Sequence, residues 1–571
     1  MWRFLRLLIA LILAFFLTMV IGGILLVGAL FSGIAVRSAA TEKPLDQKGW
    51  LHIPLSGELQ EYQQDFSDFD IQILFGDLPQ RPPTLEELRQ ALEEAATSDK
   101  VRGVILQLGE LSARPAQAQQ LGRWLLAFKQ KSNKPVYAYG DSFSELTYYL
   151  ASCADTIVMY PRSGAILEWN GLVSQGIFFK KFLQKWGIKP RVFRTGSYKS
   201  AGESFTEERY SEPNRAQISA LLEDVWQVFI DTIAFRRRLN PDTLRRWAET
   251  RVFLSAREAY ENRLVDTLLS WHDWIKRFTP EGKDKPSFIS VKQLISDKDK
   301  KSPNRIALIY AEGDIGPEGS IRAEDLVPVI QKVAREQEIK AAVLRVNSPG
   351  GGVLDSDKIA RALQALKAKK PVIISMGGVA ASGGYYISAY ADKIVAELTT
   401  ITGSIGVIAI LLDLQELLEK HVELRADRVA VGGPYADFMS PYRSATPTEI
   451  ALLQSEIDQI YEEFLEVVRE GRRYPSREAV HSIAQGRVWS GMDAQRIGLV
   501  DTVGGLETAF ALAARQAGVS EYEVEVYPKP LSLIERLLRG FQKVQAWWKL
   551  QIQSNSLPER IQFYWEEFIF E

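Results

Sequence analysis

The chain has 571 residues, 46% hydrophobic and 25% charged, a globular composition that excludes wholesale disorder and fibrous repeats. At roughly 100–200 residues per domain, this length suggests three or four domains, or two large ones. Lys+Arg 69 balances Asp+Glu 71, which argues against bulk nucleic-acid binding, and the single cysteine, Cys153, excludes an intrachain disulfide or a thiolate metal cluster.

From Leu7 to Val36 the chain carries no charge, and this stretch exceeds the ~20 apolar residues that span a bilayer. Ser38-Ala39-Ala40 offers signal-peptide cleavage chemistry, but a signal peptide has an apolar region of only about 7–15 residues, so an uncleaved anchor is preferred. Arg3 and Arg6 precede the span while Arg37, Lys43 and Lys48 follow it, which leaves its orientation open. Thr84-Leu85-Glu86-Glu87 is a capping box that opens an amphipathic helix to about Thr97. Strand Val101–Leu108, a further helix and strand Val136–Tyr139 follow. Residues 281–304, rich in Lys, Asp, Ser and Pro, read as a linker. Beyond them come strand Ile306–Tyr310, helix Asp325–Glu336, strand Ala342–Val346, helix Ser356–Ala368 and strand Val372–Ser375. This alternation predicts α/β units with a largely parallel sheet. After about Pro530 the tail interleaves Leu533, Leu537, Phe541, Trp547 and Trp548 with Arg536, Arg539, Lys543 and Lys549. A helix lying on a membrane and a helix packed on the protein's own surface both fit that pattern.

The order of elements repeats because the sequence repeats. Lys134-Pro135-Val136 corresponds to Lys370-Pro371-Val372, and Tyr148-Tyr149-Leu150-Ala151 followed by Ala154-Asp155 corresponds to Tyr385-Tyr386-Ile387-Ser388 followed by Ala391-Asp392. Arg251-Val252-Phe253 and Leu264-Val265-Asp266 likewise correspond to Arg487-Val488-Trp489 and Leu499-Val500-Asp501. Four matches in order, all near one offset, identify a tandem duplication.

Much familiar chemistry is missing. There is no Walker-type phosphate loop, no His-Glu-x-x-His and no Gly-x-Ser-x-Gly elbow. None of the four histidines (His52, His272, His421, His481) sits at a strand end beside a glycine-rich turn, which argues against a Ser-His-Asp triad. His421 reads as a surface residue at a helix C-terminus.

Two glycine-rich stretches follow strands of the second repeat. Asn347-Ser348-Pro349-Gly350-Gly351-Gly352 lets backbone N–H groups approach a ligand, which suits an oxyanion hole. Gly377-Gly378-Val379-Ala380-Ala381-Ser382-Gly383-Gly384 reads as a turn that places a serine at a helix opening, where the dipole favours an alkoxide-like nucleophile. Glycines alone would equally serve tight packing of a turn. The repeats differ here, however: Glu145 stands at the position of Ser382, and Leu108-Gly109-Glu110-Leu111 replaces the first glycine stretch. Conversely, pairing Tyr198 with Tyr435 puts Ala436 opposite Lys199. One repeat holds a serine without the lysine, and the other a lysine without the serine.

On Asn347–Gly352, Gly377–Gly384, Thr402-Gly403-Ser404-Ile405-Gly406 and Gly196–Ala201, the chain from about Trp50 to Gly505 resembles the long, duplicated signal peptide peptidase A (protease IV) family. The resemblance implies two tandem Clp protease/crotonase-like α/β domains behind an N-terminal transmembrane helix. It implies Ser382 as nucleophile and Lys199 as general base, with Gly350, Gly351, Gly383 and Ser404 supporting the oxyanion or the dyad. Thr402 is a weaker candidate than Ser404 for orienting the amine. No metal or cofactor is implied. The implied partners are peptides (signal peptides and unfolded chains), a membrane, and further copies of the chain in a tetramer. The implied location is a bacterial plasma or thylakoid membrane with the catalytic domains on the non-cytoplasmic side. The expected layout is an anchor at 1–48, a lysine-bearing repeat at 49–280, the linker, a serine-bearing repeat at 305–510 and a tail at 511–571.

A free lysine titrates near 10.4, so a lysine base has to be tuned towards ~7–8 by desolvation or nearby cations. No acid lies between Lys199 and Glu203 to oppose this. Ser382 and Lys199 are expected to meet where the two repeats come into contact, within or between chains. The leading expectation is a membrane-anchored, ATP-independent serine endopeptidase that degrades cleaved signal peptides and other short apolar peptides. The alternatives are a crotonase-like thioester hydratase and a catalytically silent membrane scaffold. The Ser382 and Lys199 pair argues against both.

Overall fold

The computed structural model describes residues 48–62, 82–282, 286–295 and 302–529. The apolar stretch Leu7–Val36 and the tail from Pro530 lie outside them. No helix of the described residues is long and apolar enough to cross a membrane. The described residues form two compact units, one built from 48–60, 82–173, 222–282 and 286–295, the other from 61–62, 174–221 and 302–529.

Strands are numbered along the chain. The first are β1 (Gly49–Glu58), β2 (Val101–Ser112), β3 (Val136–Gly140), β4 (Thr156–Met159) and β5 (Ile166–Leu167). Next come β6 (Lys189–Arg194), β7 (Leu254–Ser255), β8 (Thr267–Leu268) and β9 (Phe288–Ser290). The rest are β10 (Arg305–Glu312), β11 (Ile339–Ser348), β12 (Val372–Ala381), β13 (Lys393–Ala396), β14 (Ile401–Gly403), β15 (Ile408–Asp413), β16 (Val488–Ser490), β17 (Thr502–Val503) and β18 (Glu523–Tyr527).

In the first unit a parallel sheet runs β8-β4-β3-β2-β1-β9. In the second, the parallel strands run β17-β13-β12-β11-β10-β18. The second sheet adds β14, parallel to the end of β12, and β16, antiparallel to β14. Buried β-branched and aliphatic runs such as Ile306–Ile309 and Ala341–Leu344 form the middle of this sheet, as strands covered on both faces require.

The duplication extends to single hydrogen bonds. Lys134 Nζ donates to the carbonyls of Ala95 and Ser98, and Lys370 Nζ does the same to Val333 and Glu336. The carboxylates of Asp155 and Asp392 accept from Val136 N and Val372 N, each at 2.8 Å. Fully buried Tyr148 and Tyr385 donate to the carbonyls of Leu264 and Leu499. Asp266 and Asp501 each accept a strand N–H and pair with an arginine, Arg237 and Arg472 respectively. The two tyrosine contacts are buried, so losing either acceptor would leave an unsatisfied hydroxyl, and the others tie strand ends to the loops beside them.

Three stretches differ from their sequence reading. Within 281–304, Phe288–Ser290 forms β9 on β1 and Val291–Ile295 forms a helix that buries Val291 and Leu294. Within the expected tail, helix Leu506–Ala517 runs through residue 511, and β18 pairs with β10. Gly377–Ala381 is not a turn: β12 continues through it. The ladder to β11 shifts between Val346/Met376 and Ser348/Ala380, and Asn347 Oδ1 accepts from Val379 N at 3.2 Å within that bulge. A Cβ on Gly377 would lie 2.9 Å from Glu61 Oε1, so the glycine gives room to the buried Glu61–Arg345 ion pair.

Candidate active site

Ser382 follows β12 and precedes the short helix Gly383–Ser388. Its backbone is held at φ 52°, ψ −120°, a conformation a non-glycine residue rarely adopts. Its N–H donates to Gly403 O at 2.9 Å, which fixes the turn against β14. The Ser382 carbonyl also accepts from Tyr386 N at 2.9 Å, so both sides of the strained residue are pinned.

Lys199 arrives by a different route. Its segment belongs to the first sequence repeat, yet it folds into the second compact unit. Strand β6 pairs antiparallel with β15, from Ile408↔Arg194 to Asp413↔Lys189, and Thr195 N donates to Val407 O. This ribbon carries the lysine to the serine. Lys199 Nζ lies 3.1 Å from Ser382 Oγ and 3.0 Å from both the carbonyl and the hydroxyl oxygen of Ser404. The two side chains thus meet inside one compact unit, rather than at a contact between two.

Several groups hold the lysine loop. Arg194 donates to Lys199 O at 3.0 Å. The buried Gln217 donates through Nε2 to Tyr198 O and Ser200 Oγ, and its Oε1 accepts from Val488 N of β16. The Arg487 guanidinium stacks on the rings of Tyr198 and Trp489, at 5.1 Å and 3.9 Å. Gly486, at φ +78°, presses on the loop so closely that a Cβ there would sit 2.5 Å from Lys199 Cβ.

Burial lowers the pKa of Lys199 from 10.5 to about 8. Lys199 is 6% exposed and makes no ion pair among the described residues. The nearest acid in sequence, Glu203, is occupied elsewhere. Burial pushes its pKa up, but hydrogen bonds from Ser211 and Asn214 and the charge of Arg194 outweigh that and hold it below the ordinary value.

The glycines divide the remaining work. Gly350 N–H donates to Ser348 Oγ at 3.1 Å, so it is not available to a ligand. Gly350 instead makes room: at φ +110°, a Cβ would lie 2.6 Å from Gly383 N and 2.7 Å from Ser382 Cβ. The N–H groups of Gly351 and Gly383 have no acceptor among the described residues, and they lie close together beside Ser382. Thr402 Oγ1 donates to Ala380 O and does not reach the lysine. The pair opens onto a cavity of about 690 Å³, walled by Ile218, Val353, Tyr386, Ile460, Phe464 and Val488. None of the four histidines lines it. Gln217, Gly486 and Arg487 carried no motif that would have linked them to this site, because the contacts that join the lysine loop to 485–489 cross more than 200 residues of sequence.

The peptidase family S49 model matches residues 128–283 and 364–520, one copy per repeat, and the Clp protease model matches 306–399. The chain is 32% identical over 475 residues to Protease 4 of Salmonella typhi, covering 80% of this chain and 75% of that one. It is 31% identical over 509 residues to Protease 4 of Haemophilus influenzae, covering 82% of each. It is also 31% identical over 466 residues to the chloroplastic serine protease SPPA of Arabidopsis thaliana, covering 76% of this chain and 66% of that one.

Proposed function

This chain belongs to peptidase family S49 and is a serine peptidase, and from that premise we propose that Ser382 is its nucleophile and Lys199 its general base. The observation that carries this reading is the 3.1 Å approach of a buried, ion-pair-free Lys199 Nζ to Ser382 Oγ. With a pKa of about 8, a useful fraction of the amine is neutral near pH 7–8. The neutral amine takes the hydroxyl proton as Ser382 Oγ bonds to the scissile carbonyl carbon. The N–H groups of Gly351 and Gly383 receive the developing oxyanion, where each donor contributes roughly 3–4 kcal/mol to the transition state. Collapse breaks the C–N bond, and the Lys199 ammonium protonates the departing amine. A water deprotonated by Lys199 then attacks the acyl ester, the C–O bond to Ser382 breaks, and the Lys199 ammonium returns its proton to Ser382 Oγ as the acid leaves. Ser404 fixes the amine's direction through two acceptors, so that one N–H bond or lone pair faces Ser382.

The apolar walls of the cavity favour extended, apolar peptides, including cleaved signal peptides. The sequence holds no phosphate loop, which fits action on short or unfolded chains without ATP. The Leu7–Val36 stretch would tether the enzyme to a membrane, and the chain would assemble as a tetramer. Thioester hydration has no use for a lysine directed at a serine, so the hydratase reading is the weaker one. The test is labelling with a fluorophosphonate and hydrolysis of a peptide ester by wild type, Ser382→Ala and Lys199→Ala. Wild type should label at Ser382, and both variants should lose at least about 10³-fold in kcat. An unlabelled wild type, or hydrolysis surviving both changes, would sink the dyad.

A further inference from the structure

Lys199 and Ser404 rest on a turn that is itself strained. Helix Arg477–Ile483 stops short of it, and Gln485 and Gly486 follow at φ 52° and +78°, two left-handed residues of which the first carries a side chain. Each peptide of this turn holds one part of the site. Gln485 O accepts from Tyr198 N at 3.0 Å, Gly486 N donates to Ile405 O at 2.8 Å, and Arg487 O accepts from Ser404 N at 2.7 Å. A side chain from another helix reaches the turn in its middle. Gln485 N donates at 3.2 Å to the hydroxyl of Tyr461, which is buried on helix Pro447–Arg472, and it has no other acceptor among the described residues. That bond occupies a lone pair of the oxygen and leaves the hydroxyl hydrogen for His481 Nδ1, 2.9 Å away, with the two rings edge to face.

The first repeat shows the same fold without this arrangement. Arg251 corresponds to Arg487, which puts Glu249, Thr250 and Arg245 at the places of Gln485, Gly486 and His481. There helix Pro241–Thr250 continues through the position of the turn. Arg237 and Arg472, paired with Asp266 and Asp501, put Trp226 at the place of Tyr461, where it packs on Trp169 and has no hydroxyl to offer. The duplicated fold therefore needs neither the strained turn nor the tyrosine. Both occur in the repeat whose turn presses on the lysine loop. We propose that Tyr461 is a positioning residue of the active site: its hydroxyl holds Gln485 in the left-handed region, and the turn so fixed keeps Lys199 and Ser404 in reach of Ser382. His481 acts through the same hydroxyl by taking its hydrogen. The role rests on the Ser382–Lys199 reading given above, and neither side chain touches a reacting atom.

The test is peptide-ester hydrolysis by full-length chains in detergent. Tyr461→Phe keeps the ring and removes only the oxygen. It should leave the circular dichroism spectrum unchanged, lower kcat about 5- to 30-fold with KM within about twofold, and move the pH–rate midpoint upwards as water reaches the lysine. His481→Ala should lose less in the same direction, and His481→Asn, which puts an acceptor near the place of Nδ1, should recover most of that loss. The double variant Tyr461→Phe/His481→Ala should be no slower than Tyr461→Phe alone, because both changes act through one hydroxyl. A kcat for Tyr461→Phe within about twofold of wild type, a fall in kcat with the midpoint unmoved, or losses that multiply in the double variant would overturn the proposal. Lys199→Met in the same assay separates the two readings. If it is inactive while Tyr461→Phe is unaffected, only the positioning role falls; if it is as fast as wild type, the dyad falls and the positioning role with it.

Discussion

In the proposed mechanism the value of Lys199 lies in its being a poor place for a charge. Its folded pKa, about 8, lies below the unfolded 10.5, so below pH 8 the folded chain holds a buried ammonium that water would solvate better. That gap corresponds to on the order of 3 kcal/mol of stability lost at neutral pH, shrinking to nothing as pH rises from 8 to 10.5. Lys199→Met should therefore be inactive and, by denaturant unfolding at pH 7, more stable by up to about 3 kcal/mol. The gain should vanish near pH 10.5; a variant less stable than wild type at pH 7 would contradict the desolvation account. Gly486 tests the steric side of the same site. At its φ of +78°, an added methyl would come within 2.5 Å of Lys199 Cβ, so Gly486→Ala must displace the lysine backbone. The variant should fold, as judged by circular dichroism, yet lose roughly 100-fold or more in kcat. That Lys199 and Ser382 come together was legible in the sequence, because each repeat acts as a control for the other. Gly350 was harder: a glycine run does not reveal which glycine donates an N–H and which only makes room.

At the scale of elements, the site depends on a ribbon and a clamp. The β6–β15 ribbon sets where the lysine loop lies, and Gln217 ties that loop to β16 through Tyr198 O, Ser200 Oγ and Val488 N. Gln217→Ala frees the loop without touching the reacting atoms. Its kcat should fall roughly 10- to 100-fold with KM little changed. Its pH–rate midpoint should move above 8 as water reaches the amine, whereas a general loss of fold would lower the active fraction without moving the midpoint. Periodicity and capping signals located most helices and strands, the Thr84 box among them. They failed at Gly377–Ala381, where consecutive glycines suggest a turn but β12 continues, because the missing side chains leave room for Asn347 and Glu61. They failed too at β9 and β18, short strands whose pairing is decided by the edge of a sheet already formed.

Across the whole molecule, duplication separated two duties. Both repeats keep the polar contacts that hold an α/β sheet together, such as Tyr148 with Leu264 and Tyr385 with Leu499. Only one keeps the serine, and only the other keeps the lysine. The repeat itself was legible because packing preserves pattern. The transfer of 174–221 into the serine-bearing unit was not, since nothing in the local composition of that segment says which sheet its strand will join. The central claim is that a lysine from one repeat activates a serine from the other. It is tested most directly by the pH dependence of fluorophosphonate labelling, with the modified residue located by mass spectrometry. For the wild type, labelling at Ser382 should rise about tenfold per pH unit below about 8 and level off above it, while Lys199→Met should label slowly at every pH. A wild-type rate that is flat across pH 6–9, or a label on another serine, would contradict the account.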